Sequence, residues 1–322
     1  MNPLVSVVVT TYNQAAYIEQ ALKSVLAQTY EPFEVIVVDD GSTDDTPSRI
    51  APFKDSINYI RQKNQGVAGS RNTGIREARG EYIAFLDGDD FWEPEKIAAQ
   101  VEVARNHPNA GLVVVDGVEL NDSGIGLTSL LYGPYCQDLP EDRVTTGRYY
   151  HQLLHGQFIC TTSQVMVPRR VFQTVGLSNG KFKRASDYDL YVRIAARFDV
   201  AMLKRRLTWW RYLSTSASGP RNLRGLRYLP EDIAVLRNQL KECDGTDRVL
   251  IRSIIERKVA TGAETLYYHG LKEDRIFATC VLARLLRGNS TSPGVAIFLT
   301  KLWCPDVLTR TLGRIRRMLF PK

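Results

Sequence analysis

Two hydrophobic periods alternate through the first 120 residues. Short runs rich in β-branched residues, the pattern of strands buried on both faces, occur at residues 4–10 (LVSVVVT), 33–40 (FEVIVVDD) and 110–120 (AGLVVVDGVEL). Residues 57–62 (INYIRQ) and 81–87 (EYIAFLD) predict two more strands. Between them the period changes to that of a helix. Ile18, Leu22, Val25 and Leu26 share one helical face, residues 46–53 make a short helix, and residues 64–80 give a glycine-rich helix entry. Residues 93–107 start another helix, with Pro94 near its first turn. This β-α-β-α order predicts an α/β fold with a mostly parallel sheet flanked by helices.

The middle of the chain is less regular. Residues 121–147 read as loop, with Gly124, Gly126, Gly133, Pro134 and Pro140. Residues 148–156 read as helix, 158–167 as extended, and 186–198 (SDYDLYVRIAARF) as a helix with Asp187 near its start. Two short strands, 200–204 and 207–213, follow. Helical patterns dominate from about Leu223 (231–240, 248–271, 275–286), so a boundary is expected near Gly219–Pro220. The expected division is an α/β domain over 1–219, in two halves (1–120 and 121–219), and a helical C-terminal region over 220–322.

Charge divides the chain the same way. Residues 1–203 hold 19 Lys and Arg against 25 Asp and Glu, whereas residues 204–322 hold 23 against 10. The acidic front excludes a nucleic-acid groove there. The tail VLTRTLGRIRRMLFPK interleaves Arg310, Arg314, Arg316 and Arg317 with apolar residues, a basic amphipathic pattern suited to an anionic membrane surface. A helix packed on its own domain with a solvated basic face fits the pattern equally well. No apolar run approaches the roughly 18 to 20 residues of a transmembrane helix. The five cysteines lie far apart without a CxxC pair, and Met1–Leu4 leads directly into a strand pattern. Both features predict a cytoplasmic chain without a secretory leader, disulfide framework or zinc site.

In such sheets ligands bind beyond the carboxyl ends of the strands, where Thr10, Asp39, Asp40, Asp87 and Asp89 fall. The stretch GEYIAFLDGDDFW sets Asp87, Asp89 and Asp90 directly after a buried strand. Like charges so close demand either full solvation or a cation. Gly88 allows the tight turn that aims two carboxylates at one point, as an oxygen-seeking Mg²⁺ or Mn²⁺ requires. In VVDDGSTDDT, Asp39 or Asp40 is placed to accept from a nucleobase or ribose, while residues 42–45 read as a turn and helix N-cap. GVAGSRNTG is neither GxGxxG nor a phosphate loop, but it puts Arg71 near a helix start, within reach of a phosphate or base.

Together VSVVVTTYNQAAYIEQALKSVLAQTY, FEVIVVDDGSTDDT, NQGVAGSRNTGIREARGEYIAFLDGDDFW and SDYDLYVRIA resemble glycosyltransferase family 2, over about residues 3–213. The resemblance implies the GT-A fold, Rossmann-like, and an inverting, metal-dependent transfer from a nucleotide-diphospho-sugar (a UDP-sugar favoured). It implies that Thr10 and Tyr12 line the nucleobase pocket, Asp40 bonds the base, Arg71 supports it and Asp87 sits near the ribose. Asp89 would be the principal ligand of Mn²⁺ or Mg²⁺, and Asp187 the catalytic base. The implied acceptor is a saccharide or lipid-linked hydroxyl in surface polysaccharide or glycolipid synthesis, with the protein peripheral on the inner face of the membrane. The family often has Glu-Asp at the base, where this chain has Ser186 before Asp187, and a His after a YR pair, absent from WWRYLSTSAS. A sugar-nucleotide-forming nucleotidyltransferase is disfavoured because TTYNQAAY carries no Gly-rich, basic phosphate loop. A binding-only relative is disfavoured by the intact Asp40, Asp89 and Asp187.

His151 and His155, four apart on a predicted helix, lack the HExxH context of a zinc site. Trp209 and Trp210 suit either a sugar platform or a core. Asp189 is expected to pair with Arg193 at i+4.

Overall fold

The computed structural model describes residues 2–126, 129–131, 139–212 and 229–265. Its strands are β1 (Val5–Thr11), β2 (Phe33–Asp39), β3 (Asn58–Arg61), β4 (Tyr82–Asp87), β5 (Phe91–Trp92), β6 (Ala110–Asn121), β7 (Gly124–Ile125), β8 (Val144–Gly147), β9 (Val165–Pro168) and β10 (Asp199–Tyr212). The helices are α1 (Ile18–Leu26), α2 (Thr46–Ile50), α3 (Gly66–Glu77), α4 (Lys96–Asn106), α5 (Tyr150–His155), α6 (Arg169–Val175), α7 (Ser186–Ala195), α8 (Leu229–Glu242) and α9 (Gly245–Thr265). The chain divides into two compact units, Met1–Ala217 and Ser218–Lys322.

In the first unit one sheet runs β3-β2-β1-β4-β9-β6-β10-β5, with β7 on β6 and β8 on β10. It is parallel from β3 to β4 and again between β6 and β10; β9 joins those blocks antiparallel to both. The chain moves outward from β1 to β3, then returns through α3 to β4 on the other side of β1. That reversal is a topological switch point, where a crevice opens beyond the strand ends. The register pairs Thr10 with Asp87 and Thr11 with Asp39, so the polar ends of three adjacent strands lie level.

Burial explains the strands. Every residue of β1 is buried, because helices cover both faces. Val7, Val9, Val35, Val37 and Leu86 share one core cluster with Ile18, Leu22 and Val25 of α1 and Ile97 and Val101 of α4. On the other face α3 packs on β1 and β2. Its small residues let it sit close: a Cβ built at Gly74 would lie 2.2 Å from Val8 Cγ1.

Two extended segments differ from the sequence reading. Residues 158–167 are broken by a 3-10 turn at Thr162–Gln164, held by a reciprocal cap between Thr161 and Gln164. Gln164 accepts the amides of Cys160 and Thr161 and donates to Val115 O at 2.9 Å, replacing ladder bonds with side-chain ones. The two short strands expected at 200–204 and 207–213 are one, β10. Register shifts against β6 flank Arg206, so the polar Lys204-Arg205-Arg206 stretch is a bulged section of strand and not a turn.

In the second unit α8 and α9 pack on each other, burying Ile233, Val235 and Leu236 of one and Ile251, Ile254, Ile255 and Val259 of the other. The expected boundary at Gly219–Pro220, the helix at 275–286 and the basic tail at 307–322 lie outside the described residues. Among those described, no helix is long and apolar enough to cross a membrane.

Candidate functional site

The crevice floor is the level row of strand ends. After β1 the chain turns through Asn13, in the left-handed region at φ 52, and is laced to the loop after β2. Asn13 N–H donates to Ser42 Oγ (2.9 Å), Thr43 N–H to Asn13 Oδ1 (2.8 Å) and Gln14 N–H to Thr46 Oγ1 (2.9 Å). Asp44 takes the Thr46 amide at 3.0 Å, the local cap expected of residues 42–45. Asp39 is fully buried and committed to the fold, accepting from Ser42 N–H and the Tyr59 hydroxyl, each at 2.8 Å. Asp40 is also buried. It accepts from Gln62 Nε2 (2.7 Å) and from the amides of Gln65 (2.9 Å) and Gly66 (2.8 Å), anchoring the start of α3. A carboxylate has about four acceptor positions, so Asp40 retains one for a ligand. Tyr12, just past β1, is 47% exposed.

The second wall is the turn after β4. Gly88 N–H bonds Thr10 O at 2.9 Å, and a Cβ at Gly88 would lie 2.6 Å from Gln14 Oε1 and 3.0 Å from Thr11 Cβ. Only glycine permits this approach, which presses the carboxylate turn against the end of β1.

The three aspartates of the turn have separate fates. Asp87 accepts from Arg71 Nη2 at 2.8 and 3.1 Å and from the Thr10 hydroxyl at 3.3 Å. Asp90 is buried, accepting from Ser163 Oγ (2.5 Å), Thr161 Oγ1 (3.0 Å) and Arg211 N–H (2.9 Å). Burial, then Asp89 and Asp87, push its pKa well above the usual carboxylate range. Asp90 thus ties the turn to the 3-10 turn and to the end of β10. Asp89 is the carboxylate left over. Burial, then the charge on Asp87, push its pKa up to about 6, against the pull of Arg211.

Whether a divalent cation fits here is decided by these donors. Asp89 holds a poorly compensated charge, and Gln14 Oε1 and Thr11 Oγ1 beside the turn are buried without a hydrogen-bond partner. Oxygen donors around an under-neutralised carboxylate suit Mg²⁺ or Mn²⁺. Among the described residues no three His, Cys, Asp or Glu side chains converge, so such an ion would take its other ligands from water and phosphate.

Across the crevice Asp187 sits in the first turn of α7. It accepts from Tyr188 N–H (2.8 Å) and Gln157 Nε2 (3.3 Å). Burial raises its pKa, opposed chiefly by Arg71. Arg71 is buried as well. Burial works against its charge, but Asp87 and then Asp187 outweigh that and its pKa is raised. One guanidinium therefore serves carboxylates from two distant segments, and its Nε still has no partner.

Other sequence candidates fall outside this cluster. Asp189 pairs with Arg193 at 2.8 Å, as expected. His151 and His155 lie on α5 without a metal-binding group around them. Trp209 stacks on Phe91 (centroids 5.5 Å apart, planes 5° apart) and donates to Glu93. Ser163, Tyr191 and Arg211 were not singled out from sequence, because nothing local marks them. The burial-raised hydroxyl of Tyr191 feels Asp187, and Ser163 Oγ also receives the Asp87 amide at 3.0 Å.

Comparison with known proteins places this geometry. A model described as Glycosyl transferase family 2 matches residues 6–176. That span contains Thr10, Tyr12, Asp40, Arg71, Asp87 and Asp89 and ends before Asp187. An uncharacterized glycosyltransferase of Rickettsia prowazekii is 34% identical over 199 residues, 60% of this chain and 58% of its own length. Chondroitin synthase of Escherichia coli is 30% identical over 196 residues, 60% of this chain and 26% of that protein. Among solved structures, S. aureus TarS 1–349 in complex with UDP superposes with a TM-score of 0.58 at 17% identity, over 99% of this chain and 93% of that one. The mannosyltransferase PcManGT of Pyrobaculum calidifontis, in complex with GDP-Man and Mn²⁺, gives 0.54 at 20% identity, over 99% and 85%. At such identities these two likenesses speak for the fold alone.

Proposed function

The chain belongs to glycosyltransferase family 2 and has the GT-A fold, and from there we propose that it transfers a sugar, with inversion, from a nucleotide-diphospho-sugar to a hydroxyl acceptor. The observation that carries this reading is that carboxylates from two distant segments, Asp87 and Asp187, both act on the buried guanidinium of Arg71. An inverting transfer needs acid groups at two places, one at the leaving diphosphate and one at the acceptor hydroxyl.

The residues divide accordingly. Thr10, Tyr12 and the remaining acceptor position of Asp40 serve the nucleobase, and Asp87, oriented by Arg71, serves the ribose. Asp89 would hold Mn²⁺ or Mg²⁺, whose charge would offset that building on the departing diphosphate. Asp187 accepts the proton of the acceptor hydroxyl while that oxygen forms its bond to the anomeric carbon. The bond to the nucleoside diphosphate breaks on the opposite face. A carboxylate raised by burial is a better base than an ordinary one, and Arg71 opposes the rise.

The bound UDP of TarS and GDP-Man of PcManGT support a nucleotide donor, and a UDP-sugar is our first choice. The chain spans about 58% of the Rickettsia relative's length, and its acceptor is part of the same proposal: a saccharide or lipid-linked hydroxyl in surface polysaccharide or glycolipid synthesis. The test is a nucleotide-sugar screen for Mn²⁺-dependent hydrolysis, repeated with Asp89→Ala. The variant should lose Mn²⁺-dependent nucleotide binding. Equal UDP affinity with and without Mn²⁺ in the wild type would remove Asp89 from the metal role.

A further inference from the structure

We propose that Arg211 binds the diphosphate of the donor, a role that rests on the nucleotide-sugar reading above. The residue lies at the end of β10, in the stretch WWRYLSTSAS and outside the carboxylate motifs that mark the site in sequence. Its guanidinium lies over two aromatic rings, 4.9 Å from the Tyr17 centroid and 5.0 Å from that of Phe91. Cation–π contacts of this kind steady the group and leave its edges for hydrogen bonding.

Two of those edges are already used to place it against the carboxylate turn. Nη1 donates to the main-chain oxygen of Asp89 at 2.5 Å, and Nη2 to Gln20 Oε1 at 2.5 Å. Its own amide donates to Asp90 Oδ1 at 2.9 Å, so side chain and backbone grip consecutive residues of the turn. An arginine has five N–H donors. The ε N–H and one on each terminal nitrogen have no hydrogen-bond partner among the described residues. Arg71, the other guanidinium at the turn, is itself buried and paired with Asp87. Arg211 is therefore the preset cation beside Asp89, with donors to spare where a diphosphate would meet that carboxylate's metal. Planar donors held rigid before the ligand arrives lose little entropy on binding an anion.

The test is isothermal titration of the full chain with UDP and uridine, and with GDP and guanosine, each in Mn²⁺ and in EDTA. Wild type, Arg211→Gln and Arg211→Lys are compared, with unfolding midpoints recorded alongside. The expected result is that Arg211→Gln weakens diphosphate binding about tenfold or more in both media and leaves the nucleoside unchanged. Arg211→Lys should recover part of the loss. Weakening that appears only in Mn²⁺ would mean that Arg211 acts solely through the Asp89 turn, and would overturn the contact. Equal weakening of nucleoside and diphosphate, or wild-type affinity in Arg211→Gln, would overturn it too. A wild type that binds neither UDP nor GDP would bring down the donor reading itself, an outcome separate from any effect of the variants.

Discussion

The charge of Asp187 is set by burial and by one buried guanidinium. Burial raises its pKa above the ordinary 3.8, and Arg71 holds the rise in check. As the base it must be ionised, so kcat/KM should fall as pH drops through that raised value, above the usual carboxylate range. Arg71→Met should move this acidic limb to higher pH, and a limb that stays in place would detach Arg71 from the base. Folding gives the opposite sign. A carboxyl raised in the native state adds stability below its unfolded pKa, and that contribution is lost as pH climbs through the folded value. Asp187→Asn should therefore raise the unfolding midpoint at pH 8 and change it little at pH 4. The same variant should keep nucleotide binding and lose transfer by about 10² to 10⁴-fold, the usual scale of general-base loss. Normal turnover would exclude Asp187 as the base.

At the scale of elements, α3 links both sides of the crevice. Asp40 anchors its start, Arg71 extends from its middle, and Gly74 lets it settle on β1. Gly74→Ala would drive a Cβ to 2.2 Å from Val8 Cγ1. Overpacking of this kind costs about 1–3 kcal/mol. The variant should lower the free energy of unfolding by that amount and weaken nucleotide binding with it, because Arg71 would move away from Asp87. Unaltered binding at reduced stability would show that the position of α3 does not govern the site. Several elements near the crevice had weak signals in the sequence. β5 is two residues long, and the 3-10 turn at Thr162–Gln164 lies inside a segment with strand-like composition. Both are held by partners distant in sequence: β10 pairs with β5, and Trp92 Nε1 and Gln100 Nε2 donate to the Ser163 and Gln164 carbonyls of the turn.

For the whole molecule, the main feature is an acidic front and a basic back, with 23 Lys and Arg against 10 Asp and Glu in residues 204–322. If the Arg-rich tail holds the protein at the inner face of an anionic membrane, deleting residues 306–322 should release it from anionic liposomes in a sedimentation assay. Raising the salt should weaken the intact chain's binding as screening shortens the reach of its charges. Equal sedimentation with and without the tail would assign it to packing.

The sequence alone determined the alternating α/β order and the residue types gathered at the strand ends. Those follow from local periodicity and from the rule that polar residues at strand ends meet the crevice. Folding set the strand ends level and pressed Gly88 against Thr11 and Gln14. Tertiary structure decided which charges stay available. Asp39, Asp87 and Asp90 look alike in sequence, yet one is fixed by Tyr59, one by Arg71 and one by the hydroxyls of Thr161 and Ser163. Lys96 reads as a surface lysine, but it is fully buried 3.7 Å over the Trp92 ring and donates to Gln100. Arg211 becomes part of the site only when β10 brings it back to Asp89. Periodicity shows which face a residue takes, but its charge state depends on neighbours that only folding supplies.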